Sequence, residues 1–513
     1  MSYSISKSII GLLFTAATAS LALSGCSNKS LKSLVPDKPS DAPDYMCTWN
    51  LQGYYVSYDM AQSGGDLTRN AMNEENLFGN GKYQNWAALY PKIHQDLFFV
   101  MDDSWDIPKD ANSIHNNQHL GTVILDSERF PSFTGSPTER LKQLCQRFKE
   151  IGWKGVGGWI CAQKAGRFEN IEEKEYWIER LKMANEAGFS YWKVDWGHND
   201  RNDQWRRMIT DLGKEHAPDL WIEHAMKNEY ITFSDVFRTY DVEDIIAQPV
   251  TIQRICNLLP FIADNGAKAI INCEDEPYIA VALGCAIGIM RHPFNGYLPN
   301  GKQDFVFPPV GRDYKNRLDE VVRSVRWHRI AQPFAVNADC LIDTLKLHDF
   351  WEVHEHETYV DRPIGSVVQE SAPARVSRRM PLPEVADTTA NRPYVLASCY
   401  PNGAVAVAAI GRTLGREYVS HRVPVTVSAL KPSDPIGIFG SFKSVTIKYA
   451  VPFPANFRVI AQDLAGDKSV DITNKVTIQD NALTINGNII DLVGLMSATP
   501  GDKSEAGMVM VIK

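Results

Sequence analysis

From Met46 onward, short apolar runs alternate with stretches in which apolar residues recur every three or four positions. Bounded apolar runs predict buried strands, and the three-to-four spacing predicts amphipathic helices. Residues 46–54 read as a first strand, followed by a polar, Gly- and Asn-rich insertion with a helical stretch near Trp86. A second apolar run, 97–101, ends in Asp102-Asp103. Ser136-Pro137-Thr138-Glu139 is a capping box with proline at the first helical position, and Leu141, Leu144, Cys145, Phe148 and Ile151 follow at helical spacing to Gly152. Residues 154–160 predict a third strand. A helix over about 172–187 carries Trp177, Leu181 and Ala184 on one face. A fourth strand spans 189–196, and a helix around Trp205, Met208, Ile209 and Leu212 leads to a fifth at 220–224. The sixth is expected at 236–241, the seventh at 268–273 and the eighth near 282–290. Eight strands alternating with helices predict an α/β fold, a (β/α)8 TIM barrel over 45–345. The structural alternative, an open doubly wound sheet, usually carries a Gly-rich phosphate loop, and neither GxGxxG nor GxxxxGK[ST] occurs.

Near Trp351 the texture changes to period-two alternation. Residues 394–400 and 404–410 flank Pro401-Asn402-Gly403 as a hairpin, and 476–478 with 483–485 flank Gln479-Asp480-Asn481 as another. Phe442, Val445, Ile447 and Tyr449 add a further strand. Residues 346–513 therefore predict a C-terminal antiparallel β-sandwich domain. The Pro-, Arg- and Ala-rich stretch 370–392 reads as a long exposed loop.

The stretch Tyr191-Trp192-Lys193-Val194-Asp195 matters most for function. Apolar, β-preferring residues run straight to a carboxylate at the strand's outgoing end, where barrel enzymes carry their chemistry. Alternation points Lys193 and Asp195 the same way, into the barrel mouth. Asp195 reads either as a nucleophile or as the cap of the next helix.

An apolar content of 44% and a charged content of 22% describe a chain with ample material for a core. The net charge of −8, without a basic stripe, argues against a nucleic-acid partner. The N-terminus is more specific. Lys7 precedes an apolar run from Ile9 to Leu23 that closes in Leu23-Ser24-Gly25-Cys26. A basic start, a short apolar core and small residues make a signal peptide over 1–25. Leu-Ser-Gly-Cys resembles a bacterial lipobox, which implies lipidation of Cys26 and an exported, membrane-anchored protein. Residues 26–44 are expected to be a tether. The other eight cysteines lack CxxC spacing and read as small core residues, with one or two disulfides possible after export.

The predicted strand ends collect Trp49, Asn50, Asp102, Asp103, Trp105, Trp159, Lys193, Asp195, Trp196, Glu223, His224, Arg238, Asp241 and Asp275. Carboxylates, two cations and several indoles, without a Cys/His ligand set, point to work without metal or cofactor. Paired carboxylates around a sugar-sized pocket are the machinery of glycoside hydrolysis. One attacks the anomeric carbon while the other hands a proton to the leaving oxygen, and Lys193 favours the ionised form of Asp195.

Four segments resemble the α-galactosidase clan, families 27 and 36 of the glycoside hydrolases. Met101-Asp102-Asp103-Ser104-Trp105 resembles its "(L/I)DD-x-W" strand, and Arg129-Phe130-Pro131 with Gly152-Trp153-Lys154-Gly155 its "FP…G-(L/W)-K-x-G" passage. Tyr191 to Asp195 is similar to its "(Y/F)-x-K-x-D" nucleophile strand, and Arg238-Thr239-Tyr240-Asp241 to its "R-(T/I)-S-D-D" strand. Trp49-Asn50 weakly resembles the "G-W-N-S" opening. The resemblance covers about 46–300 in the family's order. It implies a retaining exo-glycosidase for terminal α-D-galactosyl residues of an oligo- or polysaccharide, with Asp195 as nucleophile and Asp241 as acid/base. It further implies sugar contacts from Asp102, Asp103, Lys193 and Arg238, and from Glu223 at the 2-position, while Trp105 and Trp159 are candidate substrate-binding residues from their place at the barrel mouth. Ser104 and Trp196 replace the cysteines of eukaryotic family-27 members. Val242 stands where family 36 has a second Asp, which leaves Asp244, and less so Glu243, as alternative acids. A β-L-arabinopyranosidase or an α-N-acetylgalactosaminidase would keep the same pair. A glycan-binding lipoprotein without catalysis is the reading from another class, and a barrel lyase or transglycosylase is a third.

Overall fold

The computed structural model describes residues 31–513 apart from 56–65, 110, 112–117, 240–247, 291–292, 295–300, 302–315, 353–362, 364, 388 and 416. Its first half is a closed barrel of eight parallel strands. These are β1 (Tyr45–Cys47), β2 (Phe98–Met101), β3 (Gly155–Ile160), β4 (Tyr191–Val194), β5 (Trp221–His224), β6 (Val236–Arg238), β7 (Ile270–Glu274) and β8 (Ala286–Ile289). β1 pairs with both β2 and β8, which closes the ring.

The helices begin and end where their caps dictate. In Pro137–Ile151 the Ser136 hydroxyl accepts from the Glu139 amide while Glu139 reaches back to the Ser136 amide, and Gly152 ends the helix at φ 108°. Glu173–Ala187 stops at Gly188, φ 77°, and the Asn202 side chain caps Asp203–His216.

The first strand departs from expectation. It ends at Cys47, and Trp49–Tyr55 is helical, with Gly53 inside it. Thr48 makes the switch. Its amide donates the last ladder bond to Val100 O and its carbonyl accepts the first helical bond from Gln52. Residues 31–44, expected within a tether, are packed instead. Val35, Ser40, Ala42 and Asp44 are buried, Lys154 Nζ donates to Ala42 O at 2.6 Å, and Asp44 pairs with His328 at 2.6 Å.

The second half holds sheets of eight, five and four strands, and both predicted hairpins are present. The expected antiparallel sandwich is in fact mixed. Val405–Ile410 runs parallel to Ile436–Gly440, and Pro424–Ala429 parallel to Ser444–Tyr449. Here the chain alternates between the two larger sheets, so successive strands within one sheet point the same way. The inner faces meet in an apolar core that includes Val407, Ile438, Val427, Ile447 and Leu483. The largest sheet is buried on both faces in its middle, because Tyr278 and Trp327 of the barrel helices pack on Phe439. Residues 370–392 are not a long loop but contribute to strands Val367–Pro373, Arg375–Arg378 and Glu384–Val385. Arg378 there is buried because backbone carbonyls satisfy it: Nη1 donates to Leu283 O and Nη2 to Ala335 O, both at 2.7 Å.

Candidate active site

Three alternate residues of β4 and its extension each reach a different strand. Tyr191 Oη donates to Glu223 Oε2 at 2.8 Å on β5, and Lys193 Nζ donates to Asp102 Oδ2 at 2.7 Å beyond β2. Asp195 Oδ1 accepts from Arg238 Nη2 of β6 and Asp195 Oδ2 from Trp159 Nε1 of β3, the latter at 2.8 Å. The pairing register stacks these inward residues in layers drawn from alternate strands. Asp102 and Asp195 are uppermost, then Cys47, Trp159 and Glu274, then Lys193 and Arg238, with Tyr45, Glu223 and Asn272 beneath.

Asp195 is the most accessible carboxylate of this set, with 12% of its side chain exposed against 5% for Asp102 and 0% for Glu223. Its two donors fix the orientation of the carboxylate. Burial opposes ionisation of Asp102, but the Lys193 ammonium, Cys47 and the Asp103 amide hold it below the usual carboxylate range. Burial likewise works against the Lys193 charge, and the Asp102 carboxylate more than restores it. Glu223 is pushed up to about 7 by burial, against the pull of Arg238.

Three of the non-glycine residues with left-handed backbone lie on the same rim. Ser104 (φ 84°) follows β2, Met226 (φ 85°) follows β5 and Asp275 (φ 55°) follows β7. Such conformations cost energy and concentrate where a fold holds a site in place.

Asp102, Trp159, Lys193, Asp195 and Arg238 thus come together as expected. Trp105 does not. It is fully buried behind β3, tilted against Phe189 and donating to Trp159 O at 2.9 Å, so it supports the strand rather than the pocket. Asp103 turns away to Arg69 Nε at 2.7 Å and Ser104 Oγ at 2.8 Å, tying down the insertion between β1 and β2. Glu223 lies under Arg238, accepting from Arg238, Tyr191 and Asn272, and so holds the arginine rather than a sugar hydroxyl. His224 faces outward to Thr210 Oγ1 at 2.8 Å. Asp275 binds the Met290 amide at 2.8 Å, a local tie between β7 and β8. Asp241, Asp244 and Cys26 lie outside the described residues.

Several contributors were not anticipated. Arg206, fully buried, donates to the carbonyls of Val194 and Asp195 and so fixes the outgoing end of β4. Its helix position gave no sign of this. Tyr45, Tyr191, Asn272 and Glu274 line the lumen, and alternation from Lys193 and Arg238 would have found Tyr191 and, across the register, Asn272.

No protein-family model matches the chain, and neither does any curated protein. Among solved structures, it is similar to α-galactosidase I from Mortierella vinacea, at 10% identity and a TM-score of 0.42 over 91% of this chain and 96% of that one. It is also similar to a family-27 β-L-arabinopyranosidase from Geobacillus stearothermophilus in complex with arabinose, at 10% identity and a TM-score of 0.40 over 92% and 97%. An α-galactosidase from Saccharomyces cerevisiae shows 8% identity and a TM-score of 0.34 over 84% of each chain.

Proposed function

We propose that this chain is a retaining exo-glycosidase that removes terminal α-D-galactosyl or sterically related residues from glycans. The observation that carries the reading is Asp195: more accessible than Asp102 or Glu223, at the outgoing end of β4, held by Arg238 and Trp159 beside the Lys193–Asp102 pair. Both bonds hold the Asp195 carboxylate in a fixed orientation, as attack on an anomeric carbon requires. Asp195 attacks the anomeric carbon as the glycosidic bond breaks and the acid, assigned to Asp241, protonates the leaving oxygen. In the second half Asp241 takes a proton from water, the water oxygen bonds to the anomeric carbon, and the Asp195 ester is released. Lys193, Asp102 and Arg238 offer donors and acceptors for the sugar hydroxyls. The Leu23-Ser24-Gly25-Cys26 sequence supports export and lipid anchoring through Cys26.

Hydrolysis of 4-nitrophenyl α-D-galactopyranoside and 4-nitrophenyl β-L-arabinopyranoside, by wild type and Asp195→Asn, tests the assignment. Release by wild type and a loss of about two to three orders of magnitude in the variant are expected. The faster substrate identifies the sugar. Sugar binding without turnover in either protein would replace the enzyme by a glycan-binding protein.

A further inference from the structure

Among the described residues of the barrel lumen, Glu274 is a carboxylate to which no role has been given so far. It is the last residue of β7, inward like Asn272 two positions before it, and 1% exposed. Oε1 accepts from Tyr45 Oη at 3.1 Å. Oε2 is buried and has no hydrogen-bond partner. Asn272 Oδ1, a second buried acceptor on the same strand, also lacks one, although its amide nitrogen donates to Glu223 Oε2 at 3.2 Å. Both groups face β8 across Gly288, where an added Cβ would stand 2.6 Å from Asn272 Oδ1 and 3.1 Å from Glu274 Cγ. The absent side chain makes the room they share.

A buried carboxylate oxygen without a donor is costly, and a bound ligand's hydroxyl is one group that can supply the missing partner. Glu274 belongs to the layer of Trp159, whose indole holds the nucleophile, and lies directly above the layer of Lys193 and Arg238. Its charge is felt by Lys193, Arg238 and Glu223. Among the described residues, the carboxyl groups of Asp102, Asp195, Glu223 and Glu274 share this lumen with the two cations Lys193 and Arg238, a balance that disfavours an anionic sugar and favours one presenting hydroxyl donors.

We propose that Glu274 is a substrate-binding residue whose Oε2 accepts a hydrogen bond from one hydroxyl of the sugar held against Asp195, selecting neutral sugars over uronic acids. This rests on the glycosidase reading and extends it to a residue outside the assigned set.

The experiment compares kcat/KM of wild type and Glu274→Gln on 4-nitrophenyl α-D-galactopyranoside and each of its monodeoxy analogues. Glu274→Gln is expected to lose about 10- to 100-fold on the parent glycoside, the worth of a hydrogen bond to a charged acceptor. With a single monodeoxy analogue that ratio falls to near one, because the hydroxyl it measures is gone. Tyr45→Phe, which removes the donor to Oε1, keeps one ratio across the whole series and so reports a purely structural role. If Glu274→Gln does not fold, Glu274→Asp shows the same selective collapse. An equal ratio on every analogue overturns the assignment while leaving a working glycosidase. A wild type inert on all of these glycosides and on 4-nitrophenyl β-L-arabinopyranoside overturns the glycosidase reading, and this assignment with it.

Discussion

Arg238 links the two functions of the lumen, since one guanidinium holds both Asp195 and Glu223. Of these two carboxylates Asp195 is the more accessible, and Glu223 beneath it answers for the arginine's position. That division has a pH signature. Glu223 is raised by burial to about 7, from an ordinary value near 4.5. Between those values the folded chain holds a proton that the unfolded chain has released. Glu223's contribution to stability is therefore full below about 4.5 and is lost as pH rises to about 7. Denaturant midpoints at pH 5 and pH 7.5 should differ in that sense, and Glu223→Gln should flatten the difference. An unchanged slope in the variant would remove Glu223 as its source. At this scale the sequence was partly legible. Lys193 and Asp195 share a face by alternation alone, whereas Glu223 carried the right residue type at the right strand end for a role the packing does not give it.

The strands owe their placement to small residues as much as to large ones. Gly157 of β3 stands against Tyr191 of β4, where an added Cβ would lie 2.4 Å from both Tyr191 Cβ and Tyr191 O. The neighbouring atoms belong to backbone and Cβ, which cannot swing aside. Gly157→Ala is expected to destabilise the protein by about 1–3 kcal/mol, the usual cost of overpacking. It should also weaken turnover by shifting β4 with Lys193 and Asp195. Thermal melting and kcat measured together check this, and an alanine variant with wild-type values for both would deny the close approach. The helices 137–151 and 173–187 were readable because capping and apolar spacing are local signals. The switch from strand to helix at Thr48 was not, because Thr48 takes its decisive bond from Val100 on another strand.

The two halves of the molecule are joined by buried charge as well as by aromatic packing. Arg323 of the last barrel helix meets Asp463 at 2.9 and 3.3 Å, both groups almost wholly out of solvent. Breaking a buried pair by removing one partner strands the other, at about 3–5 kcal/mol. Asp463→Ala should lower the unfolding midpoint accordingly, and calorimetry should show barrel and β domain melting in one transition in wild type. Two separated transitions in wild type would mean that the interface does not couple the halves. The packed segment 31–44 adds a third tie, with the Leu34 amide donating to Gln462 Oε1 at 2.6 Å.

The sequence by itself determined the order of strands and helices, the two-part architecture and the face on which Lys193 and Asp195 lie. Periodicity and capping act over a few residues and need no knowledge of the partner. Only the tertiary structure decided that Trp105 and Glu223 support the site, that the β domain contains parallel pairs, that Arg206 fixes the end of β4, and that Tyr45 and Glu274 belong to the lumen. Those roles depend on which strand lies beside which and at what register. Closing eight strands into one ring sets that register, and no local pattern encodes it.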